Sequence, residues 1–236
     1  MKCCKVRCFR GQDSEPEDDD DDWSNAYEMA AMLPKKPSQL SMLPKKASQL
    51  FTELFVSEIV SEEQSTQLMM SLPPRFQFST PQLAYRLTSD GTSLKRFWSK
   101  IDDAQQSILI IRSTAGDVFG AYCSASWATR KEGLQGHSKY FGTGETFVFR
   151  IDDKDLSGMP IVYNWTGYYR AGAPELFMTA TDDLLIVGSG DGDAIRISSE
   201  LSQGYSSHCT TFNSPPLVKN QLFVIEELEV FSVATT

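Results

Sequence analysis

No apolar run in the chain approaches the ~18–20 residues a membrane-spanning helix needs. The basic N-terminus is not followed by the apolar stretch of a secretory signal, so the sequence predicts a protein on the cytoplasmic side. Histidine is scarce, with two in 236 residues. That argues against a histidine-built metal centre. The five cysteines (Cys3, Cys4, Cys8, Cys123 and Cys209) form an odd count without paired spacing in the folded part, which points to reduced thiols. Positive charge is also lacking: the formal net charge is −9 and the pI about 4.8, which excludes a protein that grips nucleic-acid phosphates. Hydrophobic residues make up 41%, slightly below the usual share, and the shortfall sits in the first fifty residues.

The chain reads as a tail over residues 1–47, a helical lead-in over 48–74 and a folded domain over 75–233. Within the tail, Cys3, Cys4 and Cys8 lie among Lys2, Lys5, Arg7 and Arg10. Two readings stand: S-acylation with the basic residues against anionic lipid, or an unmodified tail. Lys2 excludes myristoylation. The run Asp13 to Asp22 repels itself and reads as disordered, without the spacing of a calcium loop. Next, Met32-Leu-Pro-Lys-Lys-Pro-Ser-Gln-Leu40 is nearly repeated as Met42-Leu-Pro-Lys-Lys-Ala-Ser-Gln-Leu50, too short and proline-rich for a solenoid.

In the lead-in, Leu50, Phe51, Leu54, Phe55, Ile59 and Val60 fall at helical spacing, and Ser61 with Gln64 forms a capping box for a second helix ending before Pro73. A strand is expected over Gln82–Thr88, then a helix carrying Leu94, Phe97, Trp98 and Ile101. A hairpin follows, Ser107–Arg112 with Asp117–Tyr122. The segment with Arg130, Lys131, Gly133, Gly136 and His137 reads as an exposed loop. Further short strands are expected at Ile161–Tyr163, Leu176–Thr179, Leu184–Val187, Ala194–Ile197 and Gln221–Phe231. The last switches its apolar phase between Ile225 and Leu228, the sign of a bulge. These short strands predict an α+β fold: a two-layer antiparallel β-sandwich with short flanking helices.

The central stretch is Tyr140-Phe-Gly-Thr-Gly-Glu-Thr-Phe-Val-Phe149. Gly142 and Gly144 suit a backbone that takes positive φ or lets another segment come close. Glu145 then opens a strand, and a buried carboxylate there demands donors from elsewhere in the fold. Catalytic constellations are missing. Ser124-Ala-Ser126 is no nucleophile elbow, and His208 and Cys209 would face opposite sides of a strand. Gly188-Ser-Gly-Asp-Gly192-Asp193 lacks the Lys-Ser/Thr of a phosphate loop and reads as a hairpin turn. No metal or cofactor site is expected. Peroxide chemistry at Cys123 or Cys209 requires an exposed thiol of low pKa.

An ordered series of motifs is similar to the TLDc family. It runs from Ser89-Asp90-Gly91-Thr92-Ser93-Leu94 through Val118-Phe-Gly-Ala-Tyr122, the central stretch and Asn164-Trp-Thr-Gly167. It continues with Ile186-Val-Gly-Ser-Gly190, Cys209-Thr-Thr-Phe-Asn213 and Ile225-Glu-Glu-Leu-Glu-Val-Phe231, and such domains often follow a lead-in ending like Leu72-Pro-Pro-Arg75. The resemblance implies a non-catalytic, monomeric protein that binds the cytosolic sector of the vacuolar-type proton-pumping ATPase (V-ATPase). It further implies promotion of that pump's disassembly or inhibition, support of oxidative-stress resistance, and association with vesicle or lysosomal membranes. An enzyme using a cysteine and a vesicle-trafficking interaction module are the alternatives. The binding candidates carried over are Gly142, Glu145, Gly188, Gly190, Thr211, Phe212 and Asn213; a purely structural role suits Gly142, Gly144, Trp165 and Phe212. The chain departs from the family pattern at Ser214, where asparagine is common, at Phe231, where tryptophan is, and in the long Tyr168–Asp183 segment.

Overall fold

The computed structural model describes residues 56–132, 139–152 and 158–234. All of them belong to the second of two units into which the chain divides, Lys45–Thr236. The N-terminal cysteines, the acidic run, the repeat and the helix expected from Leu50 to Phe55 lie outside the described residues, as does His137.

The longest strand, β10 (Leu222–Val233), belongs to two sheets. Its second half pairs with β2 (Gln106–Ser113) and with β1 (Gln82–Arg86), and its first three residues pair with β9 (Gln203–Tyr205). The changeover falls at the register shift between Ile225 and Glu227, the bulge that the apolar phase switch predicts. A bulge bends a strand and lets it pass from one packed sheet to the next. From β2 the first sheet runs on through β3 (Val118–Cys123), β4 (Phe147–Ile151) and β5 (Pro160–Asn164). From β9 the second runs through β8 (Ile195–Ser198) and β7 (Leu184–Val187) to β6 (Met178–Ala180). All the pairings are antiparallel.

Between the sheets lies the main core, in which Leu109, Phe119, Ala121 and Val148 meet Met178, Leu185, Val187 and Ile197. The rings of Phe119 and Phe223 pack edge-on across it at 4.9 Å. Fully burying one such side chain contributes about 1.5–3 kcal/mol. Phe141 closes one side by bridging to Met178. The architecture is the α+β sandwich expected. The outer face of the first sheet is apolar too, with Ile108, Ile110, Tyr122, Phe147 and Phe149, and the lead-in covers it with Val60, Leu68, Met69, Leu72 and Phe76.

The helices follow from local signals. In α1 (Glu62–Ser71) the Ser61–Gln64 capping box is formed, and the chain leaves the helix at Leu72, before Pro73. A short helix, α2 (Leu87–Asp90), replaces the end of the strand expected through Thr88. In α3 (Leu94–Ile101) the residues Leu94, Phe97, Trp98 and Ile101 are all buried, one stripe at helical period. Among the described residues no helix is long and apolar enough to cross a membrane.

Two expectations are corrected, and one strand was not anticipated. Ile59 and Val60 lie on a bend, not a helix, because Ser57 Oγ accepts from their amides at 3.0 and 3.2 Å and turns the chain. Arg130 is not on an exposed loop: it sits in a 3-10 segment, stacks over Trp98 at 4.1 Å and pairs with Asp102. Strand β9 has no counterpart in the sequence reading, because Gln203-Gly-Tyr205 is short and lacks an apolar alternation.

Two carboxylates that the sequence reading left unassigned are buried in β10. Glu227 accepts from the amides of Thr88 and Leu228. Glu229 has no exposure; its Oε1 accepts from Arg86 Nε at 2.9 Å, Arg86 Nη2 at 2.7 Å and the Glu58 amide at 3.1 Å, and its Oε2 from Ser57 Oγ at 2.5 Å. Arg86 and Glu229 face each other across the β1–β10 pair. Removing one partner of a buried ion pair strands the other charge, so Arg86→Ala is expected to destabilise the fold by about 3–5 kcal/mol, read from urea unfolding. A loss below about 1 kcal/mol, the level of a surface pair, would refute this.

Candidate functional site

The Gly142–Glu145 segment forms a tight turn rather than the start of a strand. Gly142 has φ of +99°, a region that other residues enter only with strain. Ser124 Oγ holds the turn from beneath, accepting from the Thr143 amide at 2.8 Å and lying 2.7 Å from Thr146 Oγ1. Gly144 serves a close approach: a β-carbon there would fall 2.3 Å from the Trp165 ring.

The turn delivers Glu145 to the surface, with its side chain 32% exposed, which corrects the expectation of a buried carboxylate. Its partner is Arg75, from the Leu72-Pro-Pro-Arg75 segment. Two parallel bonds of 2.5 Å join the guanidinium to the carboxylate, in fork geometry. Pro73 and Pro74 fix the backbone that leads into Arg75, and the guanidinium also lies 4.5 Å over the Phe76 ring. The hydrogen bonds from Arg75 hold the Glu145 carboxyl below the usual carboxylate range, and those to Glu145 raise Arg75.

A second turn complex holds the remaining candidates. The hairpin between β7 and β8 turns through Gly188, with φ of +73°, and a β-carbon there would meet the Phe212 ring at 2.6 Å. Gly190 lies closer still to its neighbour, where a β-carbon would fall 1.7 Å from Thr210 Oγ1. Opposite, Cys209 and Ser214 close a loop by an antiparallel bridge. Thr211 ties loop to hairpin, its hydroxyl donating to Ser189 O at 2.7 Å, while Phe212 is buried. Asn213 is exposed at the apex with φ of +48°, a conformation asparagine tolerates better than most residues.

The Trp165–Tyr168 segment joins the two complexes. The Thr166 amide donates to Thr211 O at 3.1 Å on one side, and Tyr168 OH donates to Gly144 O at 3.0 Å on the other. Trp165 anchors the middle, donating Nε1–H to Pro174 O at 2.9 Å and packing edge-on against Tyr168 and Phe177. The seven carried-over residues are therefore brought into one bonded assembly. Sequence reasoning missed Arg75 as the partner of Glu145 and Tyr168 as the bridge. The position of Arg75 after two prolines was the one available signal. The lipidation candidates Cys3, Cys4 and Cys8 lie outside the described residues.

Chemically, the assembly offers shape rather than reactivity. Ser124 is committed to Thr143 and Thr146. Cys123 is fully buried and its thiol is pushed up to about 12 by burial; burial also raises Cys209, whose neighbour His208 is exposed. Among the described residues no three His, Cys, Asp or Glu side chains cluster to hold a metal ion. Among the groups that reach solvent are Thr143, Asn213, the Arg75–Glu145 pair, and Tyr168 and Tyr169, 64% and 74% exposed. Tyrosine and arginine are enriched in protein interfaces.

A β-sandwich that spends its signature residues on two interlocked surface turns belongs with domains that present a shaped face. The chain is a member of the TLDc domain family, whose model matches residues 54–234. It is similar to the GTPase-activating protein skywalker of Drosophila melanogaster, 32% identical over 186 residues that cover 76% of this chain and 31% of that protein. To TBC1 domain family member 24 of Xenopus tropicalis it is 30% identical, with coverage of 76% and 38%. Human oxidation resistance protein 1 is 31% identical, with coverage of 75% and 18%. The chain thus spans well under half the length of each of these relatives.

The Arg75–Glu145 pair carries a pH signature. Folding lowers the Glu145 pKa from its ordinary value of 4.5, so its contribution is fully present above that value and is lost as pH falls through the lower folded one. The pair is half exposed, so Glu145→Gln is expected to cost at most about 1 kcal/mol at neutral pH. The gap to wild type should close in acid below pH 4.5 in a pH series of urea unfolding curves. A gap that widens in acid would contradict the assignment.

Proposed function

We propose that this TLDc protein acts without catalysis, by binding the cytosolic ATP-hydrolysing sector of the V-ATPase and promoting its disassembly or inhibition, and that it thereby supports resistance to oxidative stress. The observation that carries this reading is the convergence of Gly142, Glu145, Gly188, Gly190, Thr211, Phe212 and Asn213 on one rigid assembly with polar and aromatic tips. A preorganised face loses little conformational entropy on docking. Family membership and the similarity to human oxidation resistance protein 1 support the oxidative-stress part. A membrane tether at Cys3, Cys4 and Cys8 belongs to the same proposal.

The test is capture of purified V-ATPase, and of its free ATP-hydrolysing sector, by the full chain, followed by an ATPase assay. Asn213→Gly keeps the left-handed backbone and removes the side chain. Together with Tyr169→Ala it is expected to weaken capture about tenfold or more if these tips are central to the contact. Failure of the folded wild-type chain to bind either form would end the proposal.

A second reading, an interaction module in vesicle trafficking, is favoured by the similarity to skywalker and to TBC1 domain family member 24. The present chain covers 31% and 38% of those proteins. Peroxide chemistry fits less well, since both described thiols are buried and raised. Iodoacetamide labelling of the native chain, mapped by mass, is expected to leave Cys123 and Cys209 unmodified until denaturant is added. Rapid native modification of either would restore the enzyme reading.

A further inference from the structure

A cleft of about 860 Å³ lies between α3, with the 3-10 segment beside it, and two turns of the second sheet. Its walls carry opposite charge. From the helical side come Lys95, Arg130 and Lys131, with Asp102 as the one carboxylate. From the β6–β7 and β8–β9 turns come Asp182, Asp183 and Glu200, with no cation. The ion pairs formed here stay on the helical side, where Arg130 and Lys131 both bond Asp102. Among the described residues no pair crosses the cleft, so Lys95 and the three carboxylates share it without touching. Opposite charges attract, and a gap that keeps them beyond ion-pair reach leaves room for a group that meets both.

The helical side offers more than its lysines. Ser93, the N-cap of α3, makes no side-chain bond to the first turn, and Thr92, Ser93 and Leu94 line the cleft. The positive end of a helix with uncapped amides receives an anionic group such as a carboxylate. Trp98 and Arg130 also line the cleft, and both are buried. Trp98 Nε1 and Arg130 Nε each lack a hydrogen-bond partner. A buried N–H left unpaired costs free energy that an incoming acceptor recovers.

We propose that this cleft binds a small zwitterion carrying a free carboxylate and a free ammonium, the chemistry of an amino acid or a short peptide. The carboxylate sits on the first-turn amides of α3 and on Lys95. The ammonium sits among Asp182, Asp183 and Glu200. Three cations and four carboxylates line the cleft, a near balance that favours neither a simple anion nor a simple cation. Their separation onto two walls favours a ligand with both charges. No residue of the turn assembly lines the cleft, so the site stands independently of the V-ATPase reading.

The experiment is an NMR chemical-shift titration of the isotope-labelled full chain with glycine, diglycine and triglycine, beside N-acetyl-triglycine and triglycine amide. Saturable shifts at the first turn of α3 and at Asp182 and Glu200 are expected with at least one free-ended ligand. The length that binds best distinguishes an amino acid from a peptide. Blocking either end should weaken binding about tenfold or more, since it removes one charge-assisted contact. Lys95→Gln is expected to do the same, as is the triple change Asp182→Asn, Asp183→Asn and Glu200→Gln. All four side chains are exposed, so circular dichroism should stay unchanged. Absence of saturable shifts with all three free-ended ligands would overturn the proposal. So would binding that survives acetylation or amidation of the ligand, because one wall would then suffice, or indifference to both sets of substitutions.

Discussion

Glu229 is a carboxylate with no exposure, placed in the strand that both sheets share. A charge in that position is tolerable only with its oxygens saturated, and four donors from Arg86, Ser57 and Glu58 do this. The requirement draws three parts of the fold to one point. Arg86 fixes the cross-strand register of β1, Ser57 and Glu58 fix where the lead-in crosses, and β10 is held on both sides just beyond its bulge. The rest of the lead-in then covers the outer apolar face of the first sheet and ends at Arg75, beside the turn that carries Glu145. The fold and the site are thus linked through one chain segment pinned at both ends, by Glu229 and by Glu145.

The face itself is built by exclusion of side chains. Gly144 must lack a β-carbon for Trp165 to lie across it, and Gly188 must lack one for Phe212 to fill the space beneath the hairpin. Once those rings are seated, backbone bonds from Thr166 and Thr211 lock the two turns together. Glycines that look like flexible punctuation in the sequence therefore produce a rigid surface. A rigid surface suits recognition, while the buried and raised thiols of Cys123 and Cys209 withdraw the most nucleophilic groups of the described domain from solvent.

Much of the fold was legible because its signals are local. The capping box at Ser61 and Gln64, the stripe Leu94–Phe97–Trp98–Ile101, the hairpin of β2 and β3 and the bulge after Ile225 all depend on residues a few positions apart. Strand β9 escaped because three residues with a central glycine carry no period, and their pairing comes from the neighbours on either side. The exposure of Glu145 was misjudged for a related reason. Alternation suggested a strand from Glu145 onward, yet the turn closed by Thr146 N and Thr143 O delays β4 until Phe147.

The sequence by itself determined most of the strands and helices, where the backbone needs glycine, and which family the chain resembles. Each of these rests on short-range sterics and periodicity. Only the tertiary structure decided which carboxylate is buried and which is exposed, since Glu229 and Glu145 look alike in the sequence. It also paired Arg75 with Glu145 across 70 residues and tied the Gly144 turn to the Thr211 loop through the Trp165–Tyr168 segment. Burial and pairing are properties of packed neighbours distant in the chain, and no local pattern encodes them.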